Sequence, residues 1–117
     1  MNNPLLLCTL AGLAMTGCAN APAPNAQLQL TEQVVAQAAS VGADNQLAEM
    51  KLAQDKLALA QKNMGEQDYK RARMLAEQAE LDARLAESKV LVAKSEAQLA
   101  ELRSKIAGLR EQLGAQQ

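Results

Sequence analysis

A chain of 117 residues with a net charge of −1 and both signs interspersed has room for one small domain and shows no electrostatic footprint for nucleic acid. Tyr69 is its one aromatic residue and histidine is absent, which removes the commonest general base and the commonest transition-metal ligand. Ala, Leu, Gln, Glu, Lys and Arg dominate beyond the amino-terminal segment, a composition of long helices with thin interiors and no deep ligand pocket.

The apolar run from Leu5 to Met15 has the length of a secretory h-region and falls short of the ~20 residues a bilayer span needs. It ends in Met15-Thr16-Gly17-Cys18, which resembles the lipobox read by the bacterial lipoprotein signal peptidase. That resemblance implies a signal peptide over residues 1–17, cleavage before Cys18, and diacylglyceryl modification of the Cys18 thiol with acylation of the new α-amine. More than one acyl chain, at ~0.8 kcal/mol per buried methylene, gives a stable membrane anchor. Cys8, inside the run, reads as a small apolar filler. With both cysteines in this segment, no disulfide can staple the rest of the chain. Residues 18–26, with Pro22 and Pro24, read as an extended tether. Ala19 is not the aspartate that retains enteric lipoproteins in the inner membrane, so the same resemblance implies the outer membrane, facing the periplasm.

Residues 27–117 read as an all-α domain, a long antiparallel hairpin or coiled coil with a short additional helix before it. The first helix is expected from about Gln27 to Val41, with Thr31 or a neighbour as an alternative cap and Leu30, Val34, Ala38 and Val41 on one stripe. Gly42 is its stop, and Asp44 or Asn45 can cap the next helix. The second, about Asn45 to Met64, puts Ala48, Leu52, Ala53, Leu57, Ala60 and Met64 on one face, and Asn63-Met64-Gly65 ends it.

A third helix is expected from about Gln67 to Leu113. Tyr69, Ala72, Ala76, Ala79, Ala83, Ala86, Val90, Ala93, Ala97 and Ala100 follow strictly alternating steps of three and four. This is a heptad seam made almost entirely of alanine, which lets a partner helix approach closely. Helix two can cover it only to about Ala86 or Val90. Beyond that, Val92, Leu99, Leu102, Ile106, Leu109 and Leu113 form a second stripe about 100° round the helix, a candidate interaction surface. Either the first helix folds back over it or copies of the chain associate there. Glu66 and Lys70, Glu80 and Arg84, and Glu101 and Lys105 are acid-before-base pairs four apart on an exposed face. Tyr69 is expected to plug the open end of the hairpin.

No catalytic constellation is visible. Glu77, Glu80 and Asp82 lie among Lys70, Arg71, Arg73 and Arg84 with no predicted cleft to desolvate them, and no glycine-rich phosphate loop occurs. The expectation is therefore no enzyme, no cofactor, no metal and no small-molecule substrate.

The lipobox, the Pro-Ala tether, Ala48-Glu49-Met50-Lys51-Leu52-Ala53, Tyr69-Lys70-Arg71-Ala72-Arg73 and the run Ala76 to Ala86 together resemble the alanine-rich envelope lipoproteins grouped as domain of unknown function 4398. The resemblance implies location and fold and supplies no activity. The expected function is an outer-membrane lipoprotein acting in envelope structure or protein–protein interaction, pairing with its own copies or with another helical envelope protein. The alternative is a lipid-anchored adaptor or chaperone-like subunit of an efflux, secretion or outer-membrane assembly complex, resembling the hairpins of periplasmic adaptors.

Overall fold

The computed structural model describes residues 21–116, so the signal-peptide segment, Cys18 and the start of the tether lie outside the described residues. Three helices follow: α1 over Asn25–Ser40, α2 over Ala48–Gly65 and α3 over Tyr69–Gly114. No strand occurs among the described residues. At 1.5 Å per residue, the 46 residues of α3 span ~69 Å.

The stops rest on backbone chemistry. After α1 the chain turns through Gly42 at φ 103°, with the Ala43 amide donating to Ala38 carbonyl oxygen and the Gly42 amide to Ala39, the two bonds of a Schellman motif. After α2 the same motif recurs, Asp68 amide to Asn63 and Gln67 amide to Met64. Here the left-handed residue is Gln67, at φ 63°, rather than Gly65, which stays helical. Asp68 then caps α3, its Oδ1 accepting from the Arg71 amide at 3.1 Å. The expected caps differ at two places. Thr31 is inside α1 and wholly buried. Asp44 accepts from the Gln46 amide within a turn, and α2 starts only at Ala48, after Leu47.

α2 runs antiparallel to α3, as Lys56 to Asp82 and Glu49 to Lys89 show, and forms the hairpin. α1 lies on the same half of α3, with Gln27 at Glu80 and Gln37 at Glu87. The expected alanine seam is the core: Ala72, Ala76, Ala79, Ala83 and Ala86 are all fully buried. Two clusters fill it. Leu28 and Ala60 meet Ala76 at one end, while Ala38, Ala43, Met50 and Ala53 meet Ala83 and Ala86 at the other. Of the expected α1 stripe, Ala38 is buried and Val34 packs against the core, while Leu30 is exposed and Leu28 and Thr31 turn inward instead. On α2, Met50, Ala53, Ala60 and Asn63 are buried, whereas Ala48, Leu52 and Ala58 face out. Tyr69 is half-buried beside Gln67, Asp68 and Lys70, outside the two buried clusters.

Thr31 measures how close the helices come. Its hydroxyl lies 2.8 Å from Gln27 carbonyl oxygen and 3.1 Å from that of Ala76 on α3. A β-carbon hydroxyl reaches a neighbouring helix backbone only where no side chain stands between them. Ala83→Leu therefore forces these helices apart and should lower stability by about 1–3 kcal/mol. Ala97→Leu, on the same seam where it is exposed, should stay within about 0.5 kcal/mol. Urea unfolding midpoints of the two variants check this contrast.

Candidate interaction surface

The cover on α3 ends near Lys94, whose Nζ donates to the Val41 carbonyl oxygen at 2.6 Å. Val90 is half-buried, and from Leu91 onward nearly every residue is exposed, the continuing seam positions Ala93, Ala97 and Ala100 among them. α1 thus covers the first half of the alanine seam and leaves the expected apolar stripe open. Val92, Leu99, Leu102, Ile106, Leu109 and Leu113 are 49–66% exposed. One of the two coverings the sequence allows, a folded-back first helix, is therefore not used.

The stripe is longer than its carboxy-terminal part. Met74, Leu81 and Leu85, on the covered half of α3, are also 48–67% exposed. Together with Gln78, Ser88 and Ser95 they extend one unbroken alternation of three and four: 74, 78, 81, 85, 88, 92, 95, 99, 102, 106, 109, 113. Apart from Leu91, every exposed large apolar residue of α3 falls on it. At 100° per residue an offset of two residues sets the centres of the two stripes roughly 160° apart, wider than the about 100° expected, so α3 carries an alanine seam inward and a leucine seam outward along its length. The sequence signal for the first half was present in the same spacing. Gln78, Ser88 and Ser95 dilute it, and the nearby alanine seam masks it.

Leu52 and Leu59 of α2, one heptad apart and about half exposed, lie four before and three after Lys56, whose Nζ reaches Asp82 at 2.6 Å. They therefore stand on the side of α2 that borders the outer seam. The seam is flanked by charge. Lys89, Glu96, Arg103 and Arg110 lie on the α2 side, and Glu77, Arg84 and Lys105 on the other. Glu96, Arg103 and Arg110 make no ion pair among the described residues, whereas Arg84 holds Glu80 and Lys105 holds Glu101. The expected Glu66–Lys70 pair is not formed, because Glu66 lies in the turn after α2 and approaches Lys62 at 3.9 Å.

A family model described as domain of unknown function DUF4398 matches residues 26–102, from the second residue of α1 into the uncovered half of α3. The chain belongs to the DUF4398 family. A crystal structure of a DUF4398 family protein, PA2901 from Pseudomonas aeruginosa PAO1, is similar to it at 59% identity and a TM-score of 0.80, over 82% of this chain and all of that one. No curated protein matches this chain.

In this DUF4398 chain two of the three carboxylates singled out in the sequence, Glu80 and Asp82, serve helix pairing. Glu80 Oε1 accepts from Arg84 Nε and Nη2 at 3.0 and 2.7 Å, and Oε2 accepts from Gln27 Nε2 at 2.8 Å. Asp82 binds Lys56, and Glu77 has no ion-pair partner among the described residues. The Arg84 guanidinium, then Gln27, hold the Glu80 carboxyl below its ordinary value, and the Lys89 ammonium does the same for Glu49. A carboxyl with a depressed folded value binds fewer protons folded than unfolded. Its contribution is present above the ordinary value of 4.5 and is lost as pH falls through the lowered one. A Glu49→Gln, Glu80→Gln double variant should melt below the parent at pH 7, and the gap should close as the pH is taken below 4.5. Thermal melts across that range measure it.

Proposed function

We propose that this protein is a non-enzymatic lipoprotein of the cell envelope, held in the outer membrane by acylated Cys18, and that it works by presenting the outer seam of α3 to another helix in the periplasm. The observation that carries the interaction half is the open stripe from Val92 to Leu113, on a half-helix that no element among the described residues covers. An apolar face of this extent on a helix not apolar enough to cross a membrane marks a surface made for contact. Support for the anchor comes from the apolar run ending at Cys18, with α1 opening only seven residues later. Ala21 lies beside Gln67, Asp68 and Tyr69, so the tether leaves from the α2–α3 turn and the tip of α3 points away from it.

Two measurements in cells test the two halves separately. Labelled palmitate should enter the parent and not Cys18→Ser, and the variant should leave the membrane fraction; retention without label overturns the anchor. A photo-reactive amino acid at Leu102 should give covalent adducts with a helical envelope protein, this chain included, while the same group at Glu101 gives few. Equal yields, or none from Leu102, overturn the interaction surface.

A further inference from the structure

We infer that the occupant of the outer seam is a second copy of this chain, antiparallel to the first, with the uncovered half of each α3 lying on the covered half of the other. The inference rests on the interaction surface just described and not on the lipid anchor.

Charge decides the direction. In a parallel, in-register pair each residue on one flank meets the residue five further along on the partner's other flank. That sets Glu77 against Asp82, Arg84 against Lys89 and Lys105 against Arg110 in both halves of the pair, three like-charged contacts with no opposite-charged one to offset them. In an antiparallel pair, facing seam positions add to a constant, and the allowed constants differ by seven. The value 187 stacks Leu113 on Met74, Ile106 on Leu81 and Leu102 on Leu85 of the other copy. It also sets Asp82 opposite Arg103 and Lys89 opposite Glu96, twice each, so that Glu96 and Arg103 gain the partners they lack within the chain. The neighbouring registers, 180 and 194, place Lys89 or Glu96 against itself. At 187 one contact repels, Arg84 with Lys105, also twice, against the two kinds that attract, so the balance still favours this register over the parallel pair.

The same register follows from length. Its centre lies between residues 93 and 94, close to where the chain's own cover on α3 ends, so each open half finds a covered half with its seam exposed. The polar seam positions stay at ease, since each faces an apolar residue and the Ser88 hydroxyl already donates to Arg84 carbonyl oxygen at 2.8 Å. Nine apolar seam residues per copy, each about half exposed, withdraw on the order of 800 Å² per partner, the size of a standard specific interface. The arrangement is a closed twofold one in which both copies contribute the same patch. Its two tether ends stand ~70 Å apart, so an anchored pair lies along the bilayer surface.

Copies bearing different tags are co-expressed in cells, one with Gln78→Cys and the other with Leu109→Cys, oxidised, and run without reductant, beside a control without added cysteines that subtracts any contribution of Cys18. The expected result is a disulfide joining the two tags, with neither variant crosslinking to itself, because equal positions lie ~46 Å apart in this register. Ser88→Cys with Leu99→Cys is a second pair expected to join in the same way. Self-crosslinking of Gln78→Cys alone, the mark of a parallel pair, overturns the inference. So does the lack of a mixed disulfide from both pairs in copies that remain helical. If Leu102 adducts with a different protein persist in that case, the interaction surface stands and only the second copy is lost.

Discussion

Close approach along the alanine seam is the constraint on which the rest of the structure depends. A fully buried alanine contributes one methyl to the core, so Ala72, Ala76, Ala79, Ala83 and Ala86 add little apolar area each. What they give is proximity. With no longer side chain between them, backbones come near enough for the Thr31 hydroxyl to reach the Ala76 carbonyl, and for Lys56 and Lys89 to close short ion pairs from helix to helix. Such a core is thin by construction, with Met50 and then Thr31 the largest side chains that are fully buried among the described residues. Polar contacts at its rim then fix the pairing of helices that small, nearly identical alanine positions would leave free to slip by a turn.

Helix existence and order were readable in the sequence because each helix carries a strong periodic pattern and ends at a residue with a backbone reason to end. Gly42 is such a residue, adopting the left-handed conformation that side chains resist. Gln67 is not, and the sequence pointed two residues earlier, to Gly65; the Schellman geometry, not residue type, places the turn. On α1 the expected Val34 and Ala38 do pack inward, and it is Leu30 that gives way to Leu28. Leu28 and Leu30 are both apolar and lie 200° apart, so pattern alone does not choose between them. The choice falls to Thr31, which is buried on the Leu28 side, where its hydroxyl meets the Ala76 carbonyl of α3 as well as the Gln27 carbonyl of its own helix.

The outer seam was half legible. Its second part reads as a leucine stripe because nothing interrupts Leu99 to Leu113, whereas its first part alternates Met74, Leu81 and Leu85 with Gln78 and Ser88 and lies against a richer alanine pattern. Exposure separates what spacing cannot, since one seam is closed and the other open. Tyr69 illustrates the converse error. A lone aromatic suggests a plug, but Tyr69 is half-buried at the turn and belongs to neither buried cluster.

Two seams of different side-chain size on one helix sort its partners by how near they can come. The alanine side accepts only helices that bring small residues of their own, as α1 and α2 do with Ala38, Ala53 and Ala60. A leucine side holds a neighbour further off and suits another large-residue seam. The remaining question for the uncovered half of α3 is why it stays helical. Nucleation is the costly step, and the covered half has already accomplished it, so twenty further residues propagate from a formed end. Ala, Leu, Glu, Lys, Gln and Arg, which dominate that segment, lose least on entering a helix, and the Glu101–Lys105 pair adds a little more. A rod built this way keeps its shape while leaving its apolar edge open, and that edge is the part of the molecule whose burial the described residues do not provide.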